Sequence, residues 1–303
     1  MTLKSVLMGG LAVLALSACN ASTTSSEAEM VKATNTVDTA QYSDKLDQVL
    51  AAQSDKNKER FDARNPKETL MFFGVEPGMT VVEALPGGGW YTKILLPYLG
   101  EEGKVIGVDY ALEMWPEFGG FADEAFIKGK QTWPETWTDS ANEWRGAGDA
   151  SVTAFAFQNR DTSFDGQADA VLFIRAMHNL SRFQSEGQYM TKALADTMAL
   201  LKPGGIVGVV QHSGPESNPD DWADGNNGYL KKSRVIKAFE EAGFQFVAES
   251  DINENPKDIP SSEDQVWRLS PTLGTSRDNP ELRKELAEIG ESNRMTLKFI
   301  KPL

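Results

Sequence analysis

The sequence predicts an α/β protein in which helices cover both faces of a mostly parallel, seven-stranded, Rossmann-like sheet. Short apolar runs rich in valine and isoleucine alternate with longer segments that have helical spacing, which indicates strands joined by crossover helices. Three glycines, Gly87, Gly88 and Gly89, separate the first strand from a helix, as in folds that bind nucleotides. Of the 303 residues, 40% are hydrophobic, so the chain is able to bury a sizeable core.

The elements are predicted in chain order from apolar runs and from the residues that end them. Strands are predicted at residues 80–83, 105–109, 152–157, 170–174, 206–210, 244–248 and 295–300. Helices are predicted at residues 46–50, 66–73, 90–99, 189–201, 231–242 and 280–289. Proline at the first position and glycine after the last mark helix ends, as in the segment from Pro66 to Gly74. Two long connections, residues 111–150 and 251–293, are predicted as insertions.

The N-terminal residues 1–18 are predicted to be a signal peptide. Lys4 precedes an apolar run over residues 6–16, which is too short to span a membrane. The run ends in Leu16-Ser17-Ala18-Cys19, which resembles the lipobox of bacterial lipoproteins, where the cysteine is acylated and becomes the new N-terminus. Cys19 is the only cysteine of the chain, and this favours lipidation over an ordinary signal peptide with a chance cysteine.

The remaining N-terminal features predict where the protein lies. Asn20 follows the cysteine, and by resemblance to enterobacterial lipoprotein sorting this residue favours a lipid anchor in the outer membrane of the cell envelope, facing the periplasm. Residues 19–42 are rich in serine and threonine and are predicted to be a flexible tether to a domain at residues 43–303. The 44 acidic and 30 basic residues give a formal net charge of −14, which argues against non-specific nucleic-acid binding.

The glycine-rich turn after strand 1 distinguishes between two kinds of nucleotide cofactor. Residues 87–92 read Gly-Gly-Gly-Trp-Tyr-Thr, so the dinucleotide fingerprint G-x-G-x-x-G is missing. The pattern Glu83-x-x-Pro86-Gly87-Gly88-Gly89 resembles motif I of class I S-adenosylmethionine (SAM) methyltransferases. The resemblance implies that Glu83 lies near the methionine end of SAM and that Pro86 and the glycines contact the nucleoside. Motif I commonly has glycine where this chain has Leu85, which is a departure from the family pattern.

Further segments carry the same resemblance, which spans roughly residues 60–303. They are Leu201-Lys202-Pro203-Gly204-Gly205 before strand 5, Ala242-Gly243-Phe244 before strand 6 and a last strand near the C-terminus. The segments Arg64-Asn65-Pro66-x-Glu68-Thr69-Leu70 and PGGGWYT look like a group of bacterial predicted methyltransferases. The resemblance implies the class I methyltransferase fold and SAM as cofactor. The substrates of that group are unassigned, and we expect a small-molecule acceptor that the sequence does not identify.

An acid at the end of strand 2, Asp109, is the second candidate for cofactor binding. In this position a carboxylate is able to accept hydrogen bonds from both hydroxyls of a ribose. Structural roles remain open for both acids, since Glu83 is also suited to stabilise the end of its strand and Asp109 to stabilise a turn.

The two histidines of the chain are the candidates for chemistry on the acceptor. His178 follows strand 4 and His212 follows strand 5, and these strands are neighbours in the methyltransferase order. Because ligands bind outside the carboxyl ends of such strands, both side chains are expected at the rim of one crevice, with His178 as general base and His212 as a substrate ligand. Alternatively, each histidine caps a strand end. A metal site is disfavoured, because no third ligand is identified.

Three polar residues and four tryptophans complete the set of candidates. Arg175 and Asn179 flank His178 and are predicted to bind the SAM carboxylate and the substrate, respectively. Arg64 is another substrate-binding candidate, although a solvated helix face explains it equally well. Four of the seven tryptophans lie between strands 2 and 3, and we predict that they form the core of a subdomain rather than a lid over a substrate. They are Trp115, Trp133, Trp137 and Trp144.

Three functions remain open at this point. The first is SAM-dependent methyl transfer to a small-molecule acceptor. The second is a non-catalytic envelope lipoprotein that has a methyltransferase fold and binds a ligand or partner. This hypothesis is favoured by the predicted location, because SAM is not expected to be supplied outside the cytoplasm. The third is a nucleotide-dependent oxidoreductase, which the missing glycine fingerprint disfavours.

Overall fold

One mixed sheet forms the centre of the structure, a computed structural model that describes residues 39–303. Across the sheet the strands follow the order β3-β2-β1-β4-β5-β8-β7, and the short β6 pairs with the end of β5. Strands β1 to β5 are mutually parallel, whereas β8 is antiparallel to both β5 and β7. The strands are β1 Thr80–Ala84, β2 Lys104–Asp109, β3 Ser151–Ala156, β4 Ala168–Ile174, β5 Leu201–Gly214, β6 Leu230–Lys231, β7 Gln245–Ser250 and β8 Arg294–Ile300. This topology confirms the predicted fold class.

Helices cover both faces of the sheet, because successive strand residues point to opposite sides. Val82 belongs to a core cluster with residues of α8, α10 and α11, while Val81 belongs to a second cluster with residues of α1, α4, α5 and α7. The helices are α1 (residues 39–51), α2 Asp55–Lys58, α3 Phe61–Arg64, α4 Pro66–Phe73, α5 Thr92–Leu99, α6 Glu124–Gln131, α7 Trp133–Trp144, α8 Met177–Arg182, α9 Gln184–Gly187, α10 Tyr189–Leu200, α11 Lys232–Glu241 and α12 Pro280–Ile289.

Strand β5 is longer than predicted at both of its ends. We expected the Pro203-Gly204-Gly205 segment to precede the strand, but β5 already pairs with β4 at Leu201, and the chain bulges between Leu201 and Ile206. At its other end β5 continues through His212 to Gly214, paired with β8. At one end the added residues pair with β4 and at the other with β8. The sequence around β5 does not indicate this pairing, because both partner strands are distant in the chain.

The tryptophans between β2 and β3 do not form a core of their own, and that prediction is wrong. Trp115 belongs to one of the two clusters that cover the sheet and Trp137 to the other. The ring of Trp137 lies directly over Gly107 of β2, where a β-carbon would come within 2.5 Å of it. The insertion therefore packs on the sheet, because glycine in β2 leaves room for an indole ring.

Several predictions about the N-terminus fall outside the described residues. These are the signal peptide, the acylation of Cys19 and most of the tether. Residues 39–42, which we assigned to the tether, belong to α1, and residues 43–303 form one compact unit. Within residues 39–303, no helix combines the length and the apolar character that crossing a membrane requires.

Candidate functional site

Three residues at the carboxyl ends of strands adopt a left-handed backbone. Leu85 follows β1 with a φ of 57°, Gln158 lies just after β3 with a φ of 66°, and Arg175 follows β4 with a φ of 59°. Residues other than glycine rarely adopt this backbone conformation, and the strain that it causes concentrates at functional sites. Leu85, which stands where motif I commonly has glycine, thus has a backbone conformation that glycine adopts readily.

The glycines of the turn differ in what surrounds them. A β-carbon at Gly88 would have no atom within 4 Å, and one at Gly87 would have only the Leu85 carbonyl oxygen, at 4.0 Å. Both glycines and Pro86 line a cavity of about 1080 Å³. Gly89 is different, because a β-carbon there would lie 2.1 Å from the ring of Trp144. Gly87 and Gly88 thus leave space for a ligand, whereas Gly89 leaves space for an indole ring.

Glu83 lies beneath this turn, where its carboxylate is buried. The Thr92 hydroxyl, in the first turn of α5, donates a hydrogen bond of 2.6 Å to it. Burial raises the pKa of Glu83 to about 7, against the lowering effect of that hydrogen bond. The side chain joins β1 to α5 and is not among the residues that line the cavity, which is the structural role that the sequence left open.

Asp109 lies at the end of β2 as expected, with a carboxylate that already has partners. The Lys130 ammonium group, from α6, donates to it over 2.8 Å and the Tyr110 backbone N–H over 2.9 Å. Lys130 also lies 3.9 Å from the centre of the Trp115 ring. Burial raises the pKa of Asp109, while Lys130 acts in the opposite direction. A ribose at this position must share Asp109 with Lys130 or displace it.

The structure brings the two histidines together, with ring centres 5.6 Å apart. Both are only 8% exposed, so the expectation that His178 stands open in a crevice is wrong. Gly225, in the connection after β5, packs against the His178 carbonyl so closely that a β-carbon would lie 2.0 Å from the oxygen. Trp267, from the 251–293 insertion, contacts the His178 ring. These two segments cover the strand ends that were predicted to be open.

The surroundings of the histidines keep both rings uncharged at neutral pH. Burial lowers the pKa of His178 to about 4, and the pKa of His212 also lies well below its usual value because of burial. His212 Nδ1 lies 2.6 Å from the Ser292 hydroxyl, while His178 Nδ1 is buried and has no hydrogen-bond partner in the part of the chain that the structure describes. Within residues 39–303, no group of three or more His, Cys, Asp or Glu side chains is placed to hold a metal ion.

Two predicted arginines meet at the cavity, together with charged residues that the sequence did not indicate. Arg64 and Arg175 both line the cavity. Glu291 accepts from Arg64 Nε and from Arg294 Nη1, each over 3.1 Å. Within residues 39–303 the Arg175 guanidinium has no hydrogen-bond or ion-pair partner. Burial and the neighbouring Arg64 lower the pKa of Arg175 to about 10. No local signal predicts Glu291 or Arg294, because they are more than 200 residues from Arg64.

Asn179, the remaining candidate, lies away from this cavity. Its side-chain amide donates to the Tyr110 hydroxyl over 3.3 Å, and that hydroxyl donates to the Ala176 carbonyl over 2.9 Å. Asn179 therefore links α8 to the end of β2, beside Asp109.

Comparison with known proteins gives likenesses of fold only. No family model matches this chain, and no curated protein matches it. A solved [4+2]-cyclase, SpnF, is 14% identical over 80% of this chain and 81% of that protein, with a TM-score of 0.45. An arsenic(III) S-adenosylmethionine methyltransferase from Chlamydomonas reinhardtii is 15% identical, with coverages of 85% and 73% and a TM-score of 0.43.

A third likeness is to the 1,6-didemethyltoxoflavin-N1-methyltransferase of Burkholderia thailandensis, solved with bound 1,6-didemethyltoxoflavin and S-adenosylhomocysteine. It is 13% identical over 82% of each chain, with a TM-score of 0.43. All three TM-scores lie below 0.5, and the three proteins do not share one chemistry. Since one fold hosts many functions, these likenesses say nothing about what this chain binds or does.

Proposed function

We propose that this chain is a SAM-dependent methyltransferase that acts on a small-molecule acceptor. The observation that carries the proposal is the placement of Gly87 and Gly88, which leave open space beside a large cavity where β1 ends. Strand β1 lies between β2 and β4, so the turn stands at the point where the strand order reverses. In open α/β sheets this is where ligands bind.

The residues at this point fit an adenosyl cofactor. Gly87 and Gly88 allow a nucleoside to approach the backbone. Asp109 ends the neighbouring strand β2 and does not itself line the cavity, and it is suited to accept hydrogen bonds from ribose hydroxyls once Lys130 is displaced. When bound, SAM would supply an electrophilic methyl group on its sulfonium sulfur for transfer to a nucleophilic atom of the acceptor.

The contribution of the protein is then mainly to position donor and acceptor. A general base is optional in this reaction, and neither histidine is among the residues that line the cavity. His178, with its ring buried and its pKa lowered to about 4, is better suited to a structural role than to proton transfer. We therefore do not include His178 in the proposed chemistry.

A second candidate is a non-catalytic lipoprotein that keeps the fold and binds a ligand or partner. The ion pair between Lys130 and Asp109 favours it, because the carboxylate meant for a ribose is already neutralised by the chain itself. The proposed lipid anchor at Cys19 and the outer-membrane location favour it as well, since SAM is not expected in the periplasm. Both the anchor and the location are proposals that derive from the lipobox-like segment.

Isothermal titration calorimetry with SAM, S-adenosylhomocysteine and NAD separates these candidates. We expect both adenosyl ligands to bind and NAD not to bind. Asp109→Ala should weaken SAM binding by about 1.5–3 kcal/mol, the scale of a hydrogen bond to a charged group. The matched control is Asp139→Ala, which removes an exposed carboxylate from α7. Absence of adenosyl binding contradicts the proposal and leaves the second candidate, and binding of NAD alone supports an oxidoreductase.

A further inference from the structure

The cavity beside the glycine turn has a charge opposite to that of the whole chain. The whole chain is acidic, with a formal net charge of −14, but only two of the residues that line the cavity are acids, Glu59 and Asp149. Six cationic side chains line the same cavity: Lys45, Lys56, Arg60, Arg64, Lys93 and Arg175. An excess of positive charge in a concave site raises the local concentration of anions.

Two guanidinium groups that line the cavity are incompletely paired. Arg64 is only 5% exposed, and its Nη2 is buried without a hydrogen bond to any of residues 39–303. The Arg175 guanidinium has no hydrogen-bond or ion-pair partner within the same residues. One carboxylate, Glu291, pairs with both Arg64 and Arg294, so two guanidinium groups share its single negative charge and Arg175 is left without a carboxylate. Buried charges are costly unless they are paired, and a bound anion would pair with them.

Aromatic and cationic side chains continue this pattern toward the outside. Trp90 lies beneath the Arg64 guanidinium at 5.0 Å, and the Lys93 ammonium group lies 4.3 Å from the centre of the Trp144 ring. Burial, together with the nearby charge of Lys56, lowers the pKa of Lys93. Both indole rings line the cavity, which therefore offers flat apolar surface next to positive charge.

From this geometry we infer that the methyl acceptor is an anion, with a carboxylate or phosphate group bound by Arg175 and Arg64 and an apolar part against Trp90. The inference rests on the proposed function. The cofactor alone does not account for the charge, because SAM has one carboxylate, one ammonium and one sulfonium group and is a net cation at neutral pH. The negative charge of an anionic acceptor would offset the positive charges of both the cavity and the cofactor.

The test uses phenyl phosphate and benzoate as anionic probes and benzyl alcohol as the neutral probe of similar shape. Binding to the protein is measured by calorimetry and by tryptophan fluorescence, with and without saturating S-adenosylhomocysteine. We expect both anions to bind at least tenfold more tightly than benzyl alcohol. Their affinity should fall as salt is added, because ions screen the attraction. Equal affinity for the neutral probe overturns the inference.

The variant Arg175→Gly removes the guanidinium. The fold should be retained, because glycine readily adopts the left-handed backbone that residue 175 has. It should weaken phenyl phosphate binding at least tenfold, and Arg175→Lys should weaken it less. A second variant away from the strained turn, Lys93→Met, should weaken binding about threefold or more. The control is Arg277→Met, an exposed residue of the C-terminal insertion. Unchanged binding in both Arg175→Gly and Lys93→Met overturns the inference.

The arm with S-adenosylhomocysteine separates failure of this inference from failure of the proposed function. Simultaneous binding of both ligands supports an acceptor site. Competition between them shows that the arginines serve the carboxylate of the cofactor and overturns the inference, while the methyltransferase proposal stands. Anion binding that depends on Arg175, without any binding of S-adenosylhomocysteine, contradicts the methyltransferase proposal and leaves an anion-binding protein.

Discussion

At three strand ends, a residue other than glycine adopts a backbone conformation that glycine adopts most readily. Leu85 and Arg175 are held there by neighbouring strands, since their N–H groups donate to the carbonyls of Val108 and Val210 over 2.7 and 2.6 Å. The strain is thus balanced by the sheet. Arg175 lines the cavity, where its guanidinium has no hydrogen-bond or ion-pair partner among residues 39–303.

Glu83 makes the stability of the protein dependent on pH in a direction unusual for an acid. Its pKa is raised to about 7 by burial, so above the unfolded value near 4.5 the unfolded chain releases a proton that the folded chain keeps. The contribution of Glu83 to stability is therefore highest below pH 4.5 and falls as pH rises to about 7. Glu83→Gln, which cannot ionise, should raise the free energy of unfolding at pH 8 by up to about 3 kcal/mol.

Urea unfolding at pH 4 and pH 8 measures this effect. The Glu83→Gln variant should gain stability over wild type at pH 8 and little or none at pH 4. The control is Glu135→Gln, on the exposed side of α7. An equal change at both pH values would show that Glu83 is not buried as an acid.

His178 has the opposite dependence on pH, because its folded pKa is depressed to about 4 by burial. Its contribution to stability is complete above the unfolded pKa near 6.5 and is lost as pH falls toward 4. Between pH 7 and pH 5 this loss amounts to about 2 kcal/mol. His178→Gln should remove that part of the pH dependence, measured by chemical unfolding at both pH values. A slope identical to wild type would mean that the ring is accessible to solvent, as first predicted.

At the scale of elements, the turn between β1 and α5 combines two different uses of glycine. Gly88 faces empty space and Gly89 faces the ring of Trp144. From the sequence we predicted one role for all three glycines of the turn, which was contact with a nucleoside. What separates the roles is α7, which carries Trp144 to the turn from a distant part of the chain.

Valine substitutions distinguish the two glycines. Gly88→Val should retain stability close to that of wild type and lose at least tenfold in SAM affinity, because the side chain fills open cavity space. Gly89→Val should lose about 3 kcal/mol or more, because it combines a clash with Trp144 and a φ of 73°. Thermal unfolding and calorimetry provide the two measurements. Normal SAM binding by a folded Gly88→Val protein would remove the turn from the site.

At the scale of the whole molecule, the sheet gathers charged residues that are far apart in the sequence. Arg64 precedes the first strand, Arg175 follows β4, and Glu291 and Arg294 flank the start of the last strand. Strand β8 lies beside β5, and this places the C-terminal charges next to the N-terminal helices. The result is a positively charged cavity in an acidic protein.

The proposed lipid anchor at Cys19 lies outside the described residues and is tested on the full chain. Cys19→Ser removes the only thiol, so the protein should move from the membrane fraction to the soluble fraction of the expressing cells. Ser17→Thr, a conservative substitution within the same lipobox-like segment, is the control and should leave fractionation unchanged. If Cys19→Ser stays in the membrane fraction, lipidation at this residue is contradicted.

The sequence by itself determined the order and kind of nearly all elements of the sheet. Apolar runs, glycine stops and Pro66 carry this information locally, because strand and helix periods depend on neighbouring residues. It also determined that Asp109 ends β2 and that His178 and His212 are neighbours, since the resemblance includes a strand order and the strand order brings chain segments together.

The tertiary structure alone decided which of those residues are open to a ligand. The connection after β5 and the C-terminal insertion cover His178, and Lys130 pairs with Asp109. Arg175 lines the cavity with a guanidinium that no other residue of the described part of the chain pairs with. These outcomes depend on long-range packing of α6 and of two irregular segments that have no regular period in the sequence. Exposure and charge pairing are properties of the assembled chain, because distant side chains set both the access of water and the electrostatic partners of each group.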